Sequence, residues 1–375
     1  MSANIKIGND TLQGVDAVEL ENADALGSYV KFGLGVAGGY TVTFVAEGNP
    51  YSIISVTAGS AIKEPIPPEV TGPVTGWSTD EAGANLVSFP YTPTSDITLY
   101  AKVSAPKTLE ESTWAEIAQV SANKSWNAMG WKVGDSKTIT LNGTVGTLAL
   151  DNYQCKVYII GFDHNAEKEG QGISFGMLEG IDGKQLCLVD QYYQQSNVSE
   201  VMAFTMDTKQ NSLGGWKESK MRKTILGSTD VENGDATPET ISNPAANTLM
   251  AALPADLRAV LKPITKYTRN DKGVSDISSI TPTIDYLPLM AEFEVQGAEA
   301  NANPNEKTYQ AQYEYYKSGN SKIKYKHNNV DTKATWWLRS SDKTKSGFCF
   351  VGNGGQAGTS PNPKYSMGVA PAFLV

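Results

Sequence analysis

The last forty residues, 336–375, constrain the fold of this chain more than any other stretch. They begin with the apolar run WWLRS at 336–340 and close with GVAPAF at 368–373. The residues between these ends are polar and rich in glycine, a composition typical of surface loops. Such a segment fits an ordinary terminal hairpin with a long loop. It also fits a rigid frame that presents adaptable polar groups for recognition.

The apolar ends of this segment predict a scaffold. Trp336, Trp337 and Leu338 would bury a large area in a core. Arg339 follows them directly, so we expect it to bridge to a carboxylate or to carbonyl groups in the interior rather than to bind a substrate. Gly368 would help to fix the returning strand. The segment between the two ends could then change without unfolding the domain.

Length and charge limit the classes of function. A chain of 375 residues can form two or three domains, each with its own core. A net charge of −9 argues against a nucleic acid or an anionic membrane as partner. The sequence has no apolar run of membrane-spanning length. Residues 1–6 lack the pattern of a signal peptide, so we expect the chain to be made and folded in a bacterial cytoplasm.

Cysteine and histidine offer little catalytic or metal-binding chemistry. Cys155, Cys187 and Cys349 are an odd and sparse set in mostly apolar surroundings, which predicts buried free thiols rather than a disulfide framework. His164 and His327 are far apart and lack the spacing of metal ligands. We therefore predict no metal and no other cofactor.

Residues 1–37 predict short strands joined by tight turns. Their apolar residues alternate loosely, and GND at 8–10 interrupts them. So short a segment cannot build a core alone, so it should pack on a neighbour or on another subunit. The run IKIGNDTLQGVD at 5–16 resembles the small β module that begins some phage structural proteins. The resemblance implies an N-terminal β attachment module.

Residues 38–104 carry a second β pattern. YTVTF at 40–44 alternates as a half-buried strand does, and a proline-rich turn, GWSTD at 76–80 and DITLYAKV at 96–103 follow it. This order resembles the internalin B-repeat, also called the Listeria–Bacteroides repeat. The resemblance implies a small, ubiquitin-like, β-rich module that serves as a spacer in surface proteins. Another small β-sandwich is the alternative.

Residues 105–375 are predicted to form one α+β domain. TLEE at 108–111 has the pattern of a capping box, and apolar residues follow it at helical spacing, which predicts an opening helix. Asn142-Gly143 after a strand pattern predicts a hairpin turn. Further helices are predicted after GGWKESKMR at 214–222 and over residues 253–261, whereas residues 286–295 fit both a helix and a strand.

Four motifs of this domain stand in a fixed order: WKVGD, GGWKESKMR, DYLPLMAEFEV and WWLRS…GVAPAF. Together they resemble a domain of uncharacterised function that is common in gut bacteria and their phages. The resemblance implies the C-type-lectin-like fold of the formylglycine-generating enzymes. The same fold displays variable C-terminal residues in proteins of diversity-generating retroelements. The predicted architecture is therefore multidomain, with small all-β N-terminal modules followed by an α+β C-type-lectin-like domain.

These resemblances predict a non-enzymatic display or adhesion protein of the phage virion surface, of the fibre or decoration type. The N-terminal modules would bind other virion proteins, and the lectin-like domain would bind a host-surface or gut glycan or protein. A homotrimer is favoured by analogy with phage fibres. A bacterial cell-surface adhesin and a retroelement variable protein are the alternatives. The candidate contact residues are Asp342, Lys343, Lys345, Phe348, Phe350, Asn353, Gln356, Thr359, Asn362, Lys364 and Tyr365.

Two other functions conflict with the sequence. An enzyme of the formylglycine-generating type would need a reactive thiol close to Cys349, which lies in an apolar context that predicts a quiet thiol. A calcium-dependent sugar lectin would carry E-P-N or Q-P-D and W-N-D signatures, which are missing here. Sugar binding without a metal stays open.

Overall fold

The computed structural model describes residues 3–7, 10–15, 39–66, 70, 72–198, 201–209, 211–229, 234–270, 277–344 and 347–375. The chain divides into two compact units, Met1–Ala105 and Pro106–Val375. Several small sheets and few helices build these units, so the protein is multidomain and mostly β. Within the described ranges, no helix is long and apolar enough to cross a membrane.

The first unit begins with a two-stranded antiparallel hairpin. Strand β1 (Ala3–Ile7) pairs with β2 (Asp10–Val15), and Ile5 lies opposite Leu12. The remainder of the predicted attachment module at 1–37 lies outside the described residues.

A four-stranded sheet follows in the first unit. Its strands are β3 (Gly39–Ala46), β4 (Asn49–Thr57), β5 (Val74–Ser78) and β6 (Ile97–Val103), in the order β4-β3-β6-β5. Val42 and Phe44 are buried while their neighbours are half-exposed, so YTVTF alternates as predicted. Trp77 of the GWSTD motif fills the core and meets the Phe44 ring edge-on at 5.0 Å. The Asp80 carboxylate accepts hydrogen bonds from Ala84 N and Asn85 N, which fixes the loop after the motif.

The described part of the second unit contains four sheets. Its strands are β7 (Ser136–Val145), β8 (Leu148–Phe162), β9 (Ile173–Glu179), β10 (Leu186–Cys187), β11 (Ile264–Arg269), β12 (Ile280–Asp285), β13 (Lys324–Lys326), β14 (Asn329–Ala334), β15 (Trp336–Ser341), β16 (Phe348–Val351), β17 (Ala357–Ser360) and β18 (Ala372–Leu374). The largest sheet has the order β18-β9-β8-β7 and is antiparallel throughout. The smaller sheets are β10-β13-β14, β11-β12 and β15-β16-β17.

In the described part of this unit, the first helix has nine residues and every other α-helix is a single turn of four or five residues. The α-helices are α1 (Trp114–Ala122), α2 (Ala166–Glu169), α3 (Gly215–Glu218), α4 (Pro238–Ser242), α5 (Leu249–Ala252), α6 (Ala255–Arg258), α7 (Glu292–Gln296) and α8 (Glu314–Lys317), with a π-helical turn at Met221–Ile225 and 3-10 turns at Ile277–Ser279 and Glu306–Thr308. The predicted helix at 253–261 is thus reduced to the four residues of α6. The prediction of an α+β domain is met only in part, because the helices are short and strands make up most of the regular structure.

The opening helix forms, but a different pair of residues caps it. Thr108 and Glu111 exchange the predicted hydrogen bonds, yet they close a turn and not a helix. Helix α1 starts at Trp114, and Thr113 and Glu116 form its capping box. Both pairs have the same spacing, so the sequence pattern alone cannot choose between them.

The predicted hairpin turn at Asn142-Gly143 is wrong. Both residues lie within β7, where the register shifts between Leu141 and Gly143 as at a β-bulge. The strand reverses four residues later, between Val145 and Leu148, at a glycine with φ +57°. A glycine with positive φ serves a bulge as well as a turn, which explains the error.

The two ends of residues 336–375 enter different sheets. Strand β15 pairs with β16, whereas β18 pairs with β9. The ends meet at Gly368, whose N–H donates to Thr335 O and whose carbonyl accepts from Trp337 N, both at 2.9 Å. The segment is therefore not a simple terminal hairpin. Its strands β15, β16 and β17 form one sheet, and its last strand, β18, is an edge strand of the largest sheet.

Gly368 is packed too tightly to carry a side chain. A Cβ at this position would overlap Cys187 Sγ and would lie 3.1 Å from Thr335 O. We expect Gly368→Ala to lower the free energy of unfolding by about 1–3 kcal/mol, as overpacking of a core does. Denaturant unfolding monitored by tryptophan fluorescence would measure the loss.

The matched control for this substitution is Cys187→Ala, which removes the sulfur that the new methyl group would meet. In a double-mutant cycle, Gly368→Ala should cost less in the Cys187→Ala background than in the wild type. Equal losses in the two backgrounds would contradict this packing account.

Candidate ligand-binding site

Strand β15 lies between two hydrophobic clusters. Trp337 belongs to one cluster, and Trp336 and Leu338 belong to the other; all three are fully buried. The alternation of a strand sends neighbouring side chains to opposite faces, so WWL fills both clusters at once. The Trp337 indole N–H also donates to Phe204 O at 3.1 Å. The apolar start of the segment is thus fixed in the core, as predicted.

Arg339 is a buried structural bridge, as the sequence predicts. Its guanidinium donates to both carboxylate oxygens of Glu294, at 2.5 and 2.7 Å, and to Leu289 O at 2.8 Å. Its Nε donates to Thr268 Oγ1 at 3.0 Å. Burial alone would lower the pKa of Arg339, but the Glu294 carboxylate raises it above its usual range. The side chain therefore stays charged, and it joins β15 to α7.

A second cation binds the same carboxylate. Lys266 on β11 donates from Nζ to Glu294 Oε1 at 2.9 Å, to Tyr313 Oη at 2.9 Å and to Glu169 Oε2. All four of these side chains are almost completely buried. With Arg339, the cluster holds two cations and two carboxylates, so its formal charges cancel. Neutral, hydrogen-bonded clusters are the form in which buried charges are tolerated.

The set His164, Glu169 and Glu294 has the geometry of a metal site. One ligand atom from each residue lies within 4.8 Å of the others. The Lys266 ammonium, however, binds both carboxylates itself and takes the place that a cation would occupy. Burial, together with Lys266, lowers the pKa of His164 to about 3, so its imidazole is neutral. The ammonium group of Lys266 therefore occupies the position that a metal ion between these side chains would need.

Glu292 and Glu306 anchor the polar part of the segment. The Glu292 carboxylate accepts from Asn301 N and from Ala302 N at 2.7 Å, and Asn301 O in turn accepts from Lys343 N at 2.7 Å. The Glu306 carboxylate accepts from Ser340 Oγ at 2.7 Å. Burial raises the pKa of Glu306 to about 7, although Ser340 and neighbouring donors lower it. The end of β15 and the start of the loop that follows it are thus bound to the interior.

The structure distributes the predicted contact residues over three environments. Lys343, Asn353, Gln356 and Thr359 are exposed. Phe350, Asn362, Lys364 and Tyr365 are half-buried, and Asp342 and Phe348 are buried. Lys345 lies outside the described residues.

Two of these predictions need correction. Phe348 is completely buried in the same cluster as Trp337, so it is a core residue and offers no surface to a ligand. Asp342 is 2% exposed, and its carboxylate accepts hydrogen bonds from Thr344 Oγ1 and Thr359 Oγ1, both at 2.9 Å. Asp342 therefore links the start of the loop after β15 to β17, and it is not a contact residue.

A surface cavity of about 260 Å³ brings together three of the predicted residues. Phe350, Thr359 and Tyr365 line it with five residues that sequence reasoning missed, namely Gln194, Thr335, Ser360, Pro361 and Met367. The other exposed candidates do not belong to this lining. Ser360 and Pro361 directly flank predicted positions, Met367 lies two residues after Tyr365, and Thr335 immediately precedes the segment 336–375. Gln194 carries no local signal, because only the fold brings it to the C-terminal segment.

Backbone and carboxylate contacts fix the walls of this cavity. Ser366 Oγ donates to Asp190 Oδ1 at 2.8 Å, and the Asp190 carboxylate also accepts from Phe204 N at 2.7 Å. Gln194 N donates to Ser366 O at 2.9 Å. The loop that carries Gln194 is thus bound to the segment between β17 and β18 that carries Tyr365. Two walls of the cavity are therefore joined to each other by hydrogen bonds.

The three cysteines are buried free thiols, as predicted. Burial raises the pKa of Cys155 and of Cys187 to about 12 and raises that of Cys349 well above its usual range. A thiol acts as a nucleophile when it is ionised and accessible. None of the three meets either condition at neutral pH.

We expect Lys266→Met to destabilise the second unit. Glu169 and Glu294 would lose a buried cation, and breaking such a pair costs about 3–5 kcal/mol. Burial already raises the pKa of Glu169, and loss of Lys266 would raise it further. A raised carboxyl pKa contributes stability at low pH that is lost as pH rises. The loss measured by thermal unfolding should therefore be larger at pH 8 than at pH 5.

The control for this variant is Lys266→Met combined with Glu169→Gln, which removes the orphaned charge. The double variant should recover part of the lost stability and should show less pH dependence. A loss that is the same at both pH values, and unchanged by Glu169→Gln, would contradict the ion-pair account. A chelator should leave the wild-type melting temperature unchanged, because the lysine fills the cation position.

Comparison with known families finds two matching regions in the chain. Residues 40–102 match the Listeria–Bacteroides repeat domain, which confirms the predicted repeat. Residues 187–375 match a domain of unknown function, DUF6273. No curated protein and no solved structure matches the chain. A C-type-lectin-like fold and a phage origin stay predictions. Because the second match spans about half of the 375 residues, the chain belongs to the DUF6273 family.

Proposed function

We propose that this protein is a non-enzymatic display protein that binds a ligand through the cavity formed by Gln194, Phe350, Thr359 and Tyr365. One observation carries the proposal. Residues from four separate stretches of sequence converge on a surface cavity whose walls are fixed by buried hydrogen bonds. Ligand sites are concave, largely preformed and lined by apolar groups with a few polar ones, as this cavity is.

Within residues 336–375, the side chains that anchor the segment and the side chains that are exposed belong to different residues, which supports this function. The anchoring side chains of Arg339 and Ser340 point into the protein and bind the buried carboxylates of Glu294 and Glu306. The buried Asp342 carboxylate accepts a hydrogen bond from Thr359. The polar side chains between them, such as Asn353 and Gln356, are exposed. Such an arrangement separates stability from recognition, because exposed residues can change without disturbing the buried network.

The same features favour binding over catalysis. Chemistry of the formylglycine-generating type requires accessible reactive thiols, whereas the sulfur of Cys349 is completely buried. In the described part of the chain, the polar cluster around Lys266 and Arg339 is closed by ion pairs. Its cations are held in their charged form by the carboxylates. A lysine or arginine so held is a poor general acid or base at neutral pH.

The proposed setting is the surface of a phage particle. There the N-terminal modules bind other virion proteins, and the second unit, with a C-type-lectin-like fold, faces a host-surface or gut glycan or protein. The Listeria–Bacteroides repeat between them acts as a spacer, and a homotrimer is the proposed assembly. The support is the order of modules together with the sequence resemblances. A bacterial cell surface is the alternative setting.

Binding is tested with alanine variants of the cavity. Phe350→Ala and Tyr365→Ala should each weaken binding to intact bacterial cells and to a glycan microarray by about tenfold or more, because buried aromatic contacts dominate such sites. Thermal unfolding would verify that the variants fold. Gln195→Ala, a neighbour that does not line the cavity, should bind as the wild type does. Unchanged binding in both aromatic variants would overturn the proposed site.

The setting is tested by locating the chain. Immunogold electron microscopy of particles from the source culture, with an antibody against the second unit, should label projections from the capsid or tail. Labelling of bacterial cell walls in place of particles would favour the adhesin. If the antibody labels neither particles nor cell walls, the display function is rejected.

A further inference from the structure

The cavity bounded by Gln194 and Tyr365 is small and carries no formal charge. Its volume of about 260 Å³ lies below the range of about 300–1,000 Å³ that is typical of sites for drug-sized ligands. Among the described residues that line it, none is acidic or basic. The site therefore suits a neutral group about the size of one ring.

Two aromatic rings give the cavity an apolar surface. Phe350 and Tyr365 are half-buried and pack against the larger hydrophobic cluster, which leaves the remainder of each ring accessible. Phe350 lies opposite Gly358 in the neighbouring strand, and a Cβ on Gly358 would overlap its ring. The glycine thus provides the space in which the Phe350 ring rests. Rings held in this way present a preformed apolar surface at little cost in conformational entropy.

The polar groups of the cavity are amide and hydroxyl groups. The Gln194 side chain is exposed and makes no hydrogen bond within the described chain, so both its carbonyl oxygen and its amino group can meet a ligand. Tyr365 adds a phenolic hydroxyl. Amides and hydroxyls both donate and accept hydrogen bonds, as the hydroxyl groups of a sugar do.

We propose that this cavity binds one neutral sugar ring, without a metal. This inference rests on the proposed function and specifies its ligand. A pyranose ring has an apolar C–H face, which would lie on Phe350 or Tyr365. It also has a rim of hydroxyl groups, which would bind Gln194 and the neighbouring hydroxyls. Such a ligand would contact both the aromatic rings and the polar groups of the lining.

Charged ligands fit the cavity less well. Carboxylates and phosphates are recognised by arginine, lysine or clustered backbone amides, and the lining offers no basic side chain. Among the described strands, β17 lies at the edge of its sheet, and an extended peptide would pair along that edge. The lining residues instead surround one spot from several directions. The shape and the chemistry therefore both favour a compact neutral ring.

The experiment measures binding of methyl glycosides by saturation-transfer NMR to the full chain. The probes are the glycosides of glucose, galactose, mannose and N-acetylglucosamine, compared with glucuronic acid and N-acetylneuraminic acid. We expect binding to at least one neutral glycoside and none to the acidic sugars. Gln194→Ala and Gly358→Ala should each weaken it by about tenfold. Gln195→Ala, the matched control, should leave it unchanged, and a chelator should have no effect.

The outcomes separate this inference from the proposed function. The protein could bind only acidic sugars, or only members of a random peptide library, and lose that binding in the Tyr365→Ala variant. Either result would overturn the neutral-sugar inference and keep the binding site. Binding that no cavity variant changes would overturn both. Loss of binding in chelator would overturn the metal-free claim. Failure of every neutral glycoside to bind, alone or on a glycan microarray, would also reject the inference.

Discussion

The Glu294 carboxylate is the group on which the second unit depends. It binds Arg339 of β15 and Lys266 of β11, and it also accepts from Ala291 N at 2.8 Å. Burial raises the free energy of a carboxylate so strongly that all of these donors must be present together. The strand that starts the C-terminal segment is therefore fixed in position only when α7 and β11 are in place. Segments that are far apart in sequence thus fold as one cooperative network.

Three of the four sequence motifs are explained by the contacts that they make with one another. Trp216 Nε1 and Arg222 Nε of GGWKESKMR donate to Asp285 of DYLPLMAEFEV, at 3.1 and 2.6 Å. Glu294 of the same motif binds Arg339 of WWLRS. The central motif thus supplies a buried carboxylate to the motif before it and another to the motif after it. Their common role is to hold the scaffold together.

Sequence reasoning succeeded where the signal is local. The alternation around Val42 and the charged bridge of Arg339 follow from neighbouring residues, and both are observed. It failed where distant contacts decide between equal local patterns. Phe348 and Phe350 flank the same cysteine, yet Phe348 is completely buried in the core whereas Phe350 borders the cavity. No sequence pattern could place Gln194 beside Tyr365, since the fold alone joins them.

The size of the cavity connects the proposed ligand with the proposed setting. A site for one sugar ring buries little area and forms few hydrogen bonds, so a single site binds weakly. Weak sites become effective when several are carried on one particle, because each binding event after the first occurs at high effective concentration. A spacer such as the four-stranded repeat would let neighbouring copies reach the same surface. Weak, metal-free recognition on a rigid frame therefore suits a protein that is displayed in many copies.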